Sequence, residues 1–228
     1  MKEIKRNLLV VVVLFLIFFA QMYSATINRE ESDTTQKQVE KLSEHQYRVG
    51  DILIDTKKLE ITFNGVVNQD SGMIELVACA PGGKTHESIL VWNVQPYHLQ
   101  ISLLLLGLNS GESVYAQGDT NAPRGDSVYV FVSWEENGKM VEHRAEELVW
   151  NAGNKKPMQN VAWIFAGSKI VNGIFMAEQQ RSLLTTYRDP FTILDNPLEG
   201  GSNDDLYVVN HSVIPTKGTQ VHIRIQVP

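Results

Sequence analysis

The sequence of 228 residues contains a single cysteine, Cys79. One thiol excludes an internal disulfide, a Cys-x-x-Cys redox pair and an iron–sulfur site that needs four thiolates. Cys79 lies in the apolar segment MIELVACA, where a thiol most simply packs as a small hydrophobic side chain. We therefore expect no cofactor held by cysteine ligands, and no pattern in the sequence indicates a cofactor of another kind.

The sequence also contains few positively charged residues. The 20 Lys and Arg residues are outnumbered by 26 Asp and Glu residues, so the formal net charge is -6. Affinity for nucleic acids depends largely on Lys and Arg side chains that neutralise phosphates, so the acidic balance predicts no nucleic-acid partner. The chain length and the hydrophobic fraction of 43% suit one folded domain with a short appendage.

A hydrophobic run long enough to span a bilayer is missing as well. Lys2, Lys5 and Arg6 precede an uncharged apolar run of 13 residues, 8–20, whereas a spanning helix needs about 20. This pattern is typical of a signal peptide. Residues 1–25 are therefore predicted to be a signal peptide or, if they are not removed, an N-terminal membrane anchor. We expect an extracytoplasmic protein, in the periplasm or cell envelope, that contacts the membrane only through residues 1–25.

The remaining chain divides into a tether and one domain. Residues 26–46 have few apolar positions and predict a flexible tether, and residues 47–228 predict a single domain. Alternating apolar and polar residues predict antiparallel strands within this domain. Hairpins are predicted at Thr56-Lys57-Lys58, Pro81-Gly82-Gly83, Asn137-Gly138 and Asn172-Gly173, and the C-terminal QVHIRIQVP predicts a final strand.

One helix is predicted from Pro96 to Leu106, because proline suits a first helical turn and Gly107 provides a stop. This helix is apolar on nearly all sides, so we expect it to be buried against the sheet. Residues 145–150 allow either a helical turn or a continued strand, and residues 188–205 predict a loop with room for one turn of helix. The predicted fold class is α+β, a mainly antiparallel, sandwich-like β-sheet packed around one buried apolar helix.

Six segments of the chain resemble those of the YdjY-like domain, a small bacterial family: GVVNQDSG, PGGKTHES, QPYHLQISLLLLGL, AEELVWN, WIFAGS and DPFTILDNP. They occur in the same order and cover nearly the whole predicted domain. The resemblance implies one fold unit in an envelope setting and implies no active site. Some relatives carry a ferredoxin-like label, which a chain with one cysteine does not fit.

The most chemically loaded of these segments is PGGKTHES. On a strand, Lys84, His86 and Ser88 would share one face, with Glu87 on the other. Together with His98 at the helix start, this face could hold an anionic group. The candidate ligand-binding residues are therefore Lys84, His86, Glu87, Ser88 and His98. The alternative is that these side chains form hydrogen bonds with neighbouring loops and stabilise a turn.

Catalytic and metal-binding patterns are absent from the sequence. The six histidines show neither His-x-x-x-His nor Glu-x-x-His spacing, and no Gly-x-Ser-x-Gly motif or phosphate-binding glycine loop occurs. Asp204 and Asp205, with Asp195, Asn196 and Asn203 nearby, offer oxygen ligands for calcium but lack the pattern of a calcium-binding loop. The four tryptophans are predicted to lie in the core, since a sugar-binding platform would need two of them side by side on an exposed face.

These observations favour an exported, non-catalytic envelope module that binds an unknown small ligand or an envelope protein. The alternative is a hydrolase that uses His86 or His98 as a base, or a bound metal as a Lewis acid. A third possibility, a structural partner in a membrane complex, predicts a flat apolar patch in place of a pocket.

Overall fold

The computed structural model describes residues 39–228, and Lys41–Pro228 form one compact unit. The predicted signal peptide or anchor, residues 1–25, and residues 26–38 of the predicted tether lie outside the described residues. No helix in the described part of the chain is both long enough and apolar enough to cross a membrane.

The described residues are mostly β. The strands are β1 (Val39–Lys41), β2 (Gln46–Val49), β3 (Ile52–Asp55), β4 (Glu60–Val67), β5 (Leu76–Cys79), β6 (Ser88–Trp92), β7 (Ser127–Glu136), β8 (Lys139–Arg144), β9 (Val149–Asn151), β10 (Lys156–Pro157), β11 (Trp163–Phe165), β12 (Ile170–Val171), β13 (Ile174–Phe175), β14 (Ser182–Thr185), β15 (Leu194–Asp195), β16 (Tyr207–Val209) and β17 (Gln220–Gln226). The α-helices are α1 (Pro96–Leu105) and α2 (Met176–Gln180), and the 3-10 helices are Thr85–Glu87, Ala145–Leu148 and Glu199–Ser202.

Eight strands close into a barrel in the order β4-β17-β7-β11-β15-β14-β5-β6, and β6 pairs back with β4. Neighbours are antiparallel except for the parallel pairs β5–β6 and β14–β15. The long strand β4 makes closure possible because it changes partner along its length: residues 60–62 pair with β3, and residues 65–67 pair with β6. Closure leaves none of these eight strands as an unpaired edge.

Aliphatic and aromatic side chains fill the barrel. Along β7 and β17 the buried and exposed positions alternate, which sends Val221, Ile223 and Ile225 inward as predicted. An eight-stranded barrel has an interior just wide enough for side chains to fill. Trp92, Trp134 and Trp163 are buried, which confirms their predicted place in the core, whereas Trp150 is partly exposed.

The predicted sandwich around a buried helix is wrong, because the sheet closes on itself and encloses no helix. Helix α1 forms where it is predicted but contacts β2, β3 and α2, outside the barrel. Leu99 and Leu103 are buried, whereas Leu104 and Leu105 are 46% and 41% exposed. The apolar residues on all sides of helix α1 therefore do not mean that the helix is completely buried.

Three of the four predicted hairpins are confirmed: β3–β4, β7–β8 and β12–β13 are antiparallel pairs with short turns. The hairpin at Pro81-Gly82-Gly83 is wrong, since β5 and β6 run parallel and the chain between them returns to the starting end of β5. In place of β6, the antiparallel neighbour of β5 is β14, which comes about a hundred residues later.

Residues 145–150 and 188–205, for which the sequence predicts no single regular element, contain both helical turns and strands. Residues 145–150 form a 3-10 helix followed by β9, so both interpretations apply. The predicted loop 188–205 contains β15, a barrel strand, and the 3-10 helix Glu199–Ser202. Its polar residues Arg188, Asp195 and Asn196 are almost completely buried. This segment is therefore part of the folded core and does not simply cross the surface.

Candidate functional site

Lys84 lies between two carboxylates in the connection from β5 to β6. Its Nζ is 3.3 Å from Glu75 Oε2 and 2.9 Å from Glu87 Oε1. The three side chains are 32%, 23% and 18% exposed for Lys84, Glu75 and Glu87, so solvent reaches them only in part. We call these residues the Lys84 triad. Glu75 also accepts a hydrogen bond of 3.0 Å from Gln117 Nε2.

The triad carries two carboxyl groups for one ammonium group, and this imbalance affects the pKa of Glu75. Burial raises the pKa of Glu75, and the negative charge of Glu87 raises it further against the opposing effect of Lys84. For Lys84, burial works to lower the pKa, but the hydrogen bond and charge of Glu87 and the charge of Glu75 outweigh it and raise the pKa. Lys84 therefore stays protonated, and Glu75 accepts a proton more readily than an ordinary glutamate does.

A cavity of about 140 Å³ adjoins the triad. We call it the carboxylate cavity, and its lining residues are Met73, Ile74, Glu75, Glu87, Asp204 and Asp205. Four carboxyl groups and no basic side chain line this cavity, among the residues that the structure describes. Lys84 offsets only part of that charge, so the cavity has an excess of negative charge.

The structure brings three of the five candidate residues together, in a different local structure from the predicted strand. Thr85–Glu87 is a 3-10 helix, and β6 begins at Ser88. The buried Ser88 Oγ donates a 2.7 Å hydrogen bond to the carbonyl oxygen of Lys84. Asn68 Nδ2 donates to the carbonyl oxygens of Thr85 and Ser88 at 2.6 and 2.8 Å, so the turn is also held from outside. Ser88 thus supports the turn that presents Lys84 and Glu87.

The two candidate histidines occupy different surroundings. The side chain of His86 is 78% exposed, and its Nε2 is 3.6 Å from Glu87 Oε2. His98 packs closely against Gly50 in the turn between β2 and β3, where an added Cβ would overlap the imidazole ring. Neither histidine lines the carboxylate cavity.

Two carboxyl groups outside the set of candidate ligand-binding residues, Asp189 and Asp195, are buried. Burial raises the pKa of Asp189, and the Phe191 N–H and the charge of Lys84 offset this only in part. Asp195 Oδ1 accepts hydrogen bonds of 2.8 Å from Thr185 Oγ1 and from the backbone N–H of Asn196, whereas Oδ2 has no partner. Burial raises the pKa of Asp195 to about 7.

Signals for these residues were present in the sequence. Asp189 and Asp195 flank the apolar residues FTIL in DPFTILDNP, a pattern that fits a buried strand as well as a loop. Glu75 is the one charged residue in MIELVACA, and an isolated charge in an apolar segment often has a specific partner. In residues 39–228, no three His, Cys, Asp or Glu side chains are grouped so that they could hold a metal ion.

Comparisons with known proteins identify a family and little beyond it. Residues 52–226 match the family described as the YdjY domain. No curated protein and no solved structure matches the chain. The matched range begins at β3 and ends with β17, so it contains the whole barrel, the Lys84 triad and the carboxylate cavity.

Proposed function

This chain belongs to the YdjY domain family. We propose that it is an exported, non-catalytic envelope module that binds a small ligand in the carboxylate cavity. The basic residues and the apolar run at 8–20 support export. The excess of carboxyl groups around Lys84 supports binding and is the observation on which the proposal depends.

The charge of the cavity selects the ligand. Partly buried charges are costly unless they are paired, and Lys84 can pair with only part of the charge that Glu75 and Glu87 carry. Asp204 and Asp205 add two further carboxyl groups to the same lining. A ligand with a positively charged nitrogen would complete this pairing, so we propose an amine or a guanidinium group as the part that is recognised.

The size of the cavity limits how much of the ligand enters. The carboxylate cavity measures about 140 Å³. Sites that enclose a whole drug-sized ligand measure ~300 to 1,000 Å³. The cavity therefore suits a single charged headgroup, and the rest of the ligand stays outside. A hydrolase using a histidine base is less well supported, since the imidazole of His86 points largely into solvent.

The experiment compares putrescine with butanediol, which has the same carbon chain and hydroxyl groups in place of the ammonium groups. Isothermal titration calorimetry of the full chain at low salt should show saturable binding of putrescine and no binding of butanediol. Asp204→Asn/Asp205→Asn should weaken that binding about tenfold, since removing a charge partner typically costs more than a kilocalorie per mole. Both positions are exposed, so the fold should tolerate the change.

A matched control separates the site from the general surface charge. Glu135→Gln/Glu136→Gln removes the same number of charges from the exposed end of β7 and should leave the affinity unchanged. Equal weakening by the two double variants, or no difference between putrescine and butanediol, would contradict the proposed ligand. Export is tested separately by cell fractionation, where a chain found in the cytosol would contradict the envelope setting.

A further inference from the structure

A second cleft of about 390 Å³ is lined by Asn203 and Leu206, the residues that flank Asp204 and Asp205 of the carboxylate cavity in the chain. It lies between the three-stranded sheet β10-β9-β16 and the 3-10 helix Glu199–Ser202. Its volume falls within the ~300 to 1,000 Å³ that is usual for ligand sites. We call it the amide cleft, because four amide side chains line it: Asn151, Asn154, Gln159 and Asn203.

Strand register and one glycine shape the cleft. Asn151 in β9 lies directly opposite Tyr207 in β16, so both side chains are on the same face of the sheet. Asn151 Oδ1 accepts hydrogen bonds of 3.0 and 3.1 Å from the N–H groups of Gly153 and Asn154, which fixes the turn that carries Asn154. A Cβ on Gly200 would lie 2.7 Å from Tyr207 Oη, so glycine lets the opposite wall approach the ring.

The lining chemistry differs from that of the carboxylate cavity. No Lys, Arg or His lines the amide cleft among the residues that the structure describes, so it offers no charge partner to a phosphate or carboxylate. Its one carboxyl group, Glu199, provides little attraction for a cation. The side-chain amides of Asn154 and Gln159 have no hydrogen-bond partner in the described part of the chain and lie exposed at the rim.

A side-chain amide both donates and accepts hydrogen bonds, and so does a hydroxyl group. A ligand with many hydroxyl groups and no charge therefore matches the amides, while the partly exposed Leu206 provides apolar surface for the C–H face of a ring. We propose that the amide cleft binds a neutral saccharide. This site and its ligand class go beyond the proposed function, which rests on a different cavity and on charge.

Maltotriose and N,N′,N″-triacetylchitotriose serve as neutral probes for the full chain, purified in a detergent without a sugar headgroup. Saturation-transfer NMR and isothermal titration should show saturable binding of at least one of them. Asn154→Ala/Gln159→Ala should weaken that binding about tenfold, as expected for the loss of two hydrogen bonds. The matched control is Asn93→Ala/Gln95→Ala, which removes the same two amide types from exposed positions outside the cleft.

The outcomes separate the two sites. Weakening by Asn154→Ala/Gln159→Ala, with no effect of the control or of Asp204→Asn/Asp205→Asn, supports the amide cleft whether or not putrescine binds. The inference is overturned if neither trisaccharide binds, or if Asn154→Ala/Gln159→Ala weakens binding no more than the control does.

Discussion

Asp195 offers a direct test of how burial changes the ionisation of a carboxyl group in this fold. Its carboxyl group is fully buried, and only one of its oxygens has hydrogen-bond partners. Burial raises its pKa from 3.8 to about 7, and the negative charge of Asp189 contributes to the increase. We predict that Asp195→Asn makes the protein more stable at pH 8, because the amide has the shape of the neutral carboxyl group and cannot ionise.

The sign follows from where the proton is bound. Between pH 3.8 and about 7 the folded protein keeps a proton on Asp195 that the unfolded chain has lost, so the free energy of unfolding falls as the pH rises. This contribution is fully present below pH 3.8 and is lost above about 7. At about 1.4 kcal/mol for each pH unit, the full loss is about 4 kcal/mol, as an order of magnitude. From pH 5 to pH 8 the loss is about 3 kcal/mol.

The assay is urea unfolding of the wild type and of Asp195→Asn at pH 5, 6, 7 and 8, followed by tryptophan fluorescence. The difference in free energy of unfolding should grow in favour of the variant by about 3 kcal/mol across this range. The matched control is Asp51→Asn, which removes an exposed carboxyl group. A difference between Asp195→Asn and wild type that stays constant from pH 5 to pH 8 would refute the reasoning.

Two further substitutions test the packing of the region outside the barrel. Gly50→Ala should lower the melting temperature by several degrees, a cost of about 2 kcal/mol. Gly50 has φ +56, and an added Cβ would overlap the imidazole ring of His98. An unchanged melting temperature would contradict that contact. Leu103→Ala should cost about 2 to 5 kcal/mol in urea unfolding, and Leu104→Ala, at a half-exposed position, about 1 kcal/mol or less. Equal losses would argue against the observed orientation of α1.

Local chemistry explains which parts of the fold could be predicted from the sequence. At Asn137-Gly138 and Asn172-Gly173 both residues have positive φ, a conformation that these residue types favour, and both hairpins form. At Pro81-Gly82-Gly83 the turn residues are equally suggestive, yet β5 pairs with β14 and runs parallel to β6. A turn signal indicates where the chain bends but does not say which strand becomes the neighbour.

Barrel closure and the site depend on contacts between distant residues. Closure requires β4 to meet β6 and β14 to meet β5, and no short segment encodes these pairings. Lys84 and Glu87 could be singled out from one polar segment. Glu75 and Asp204 reach the same cavity from elsewhere in the chain, so their contribution depends on the barrel. His98 was included because it begins a helix, but its contact is with Gly50.

A crystal structure of the protein with putrescine would test the central claim most directly, because that claim places a positively charged group in the carboxylate cavity. We predict that one ammonium group lies within hydrogen-bonding distance of Asp204 or Asp205 and of Glu87, while Lys84 keeps its ion pairs with the triad. Putrescine bound at another surface, or a cavity that stays without ligand at saturating concentration, would contradict the account.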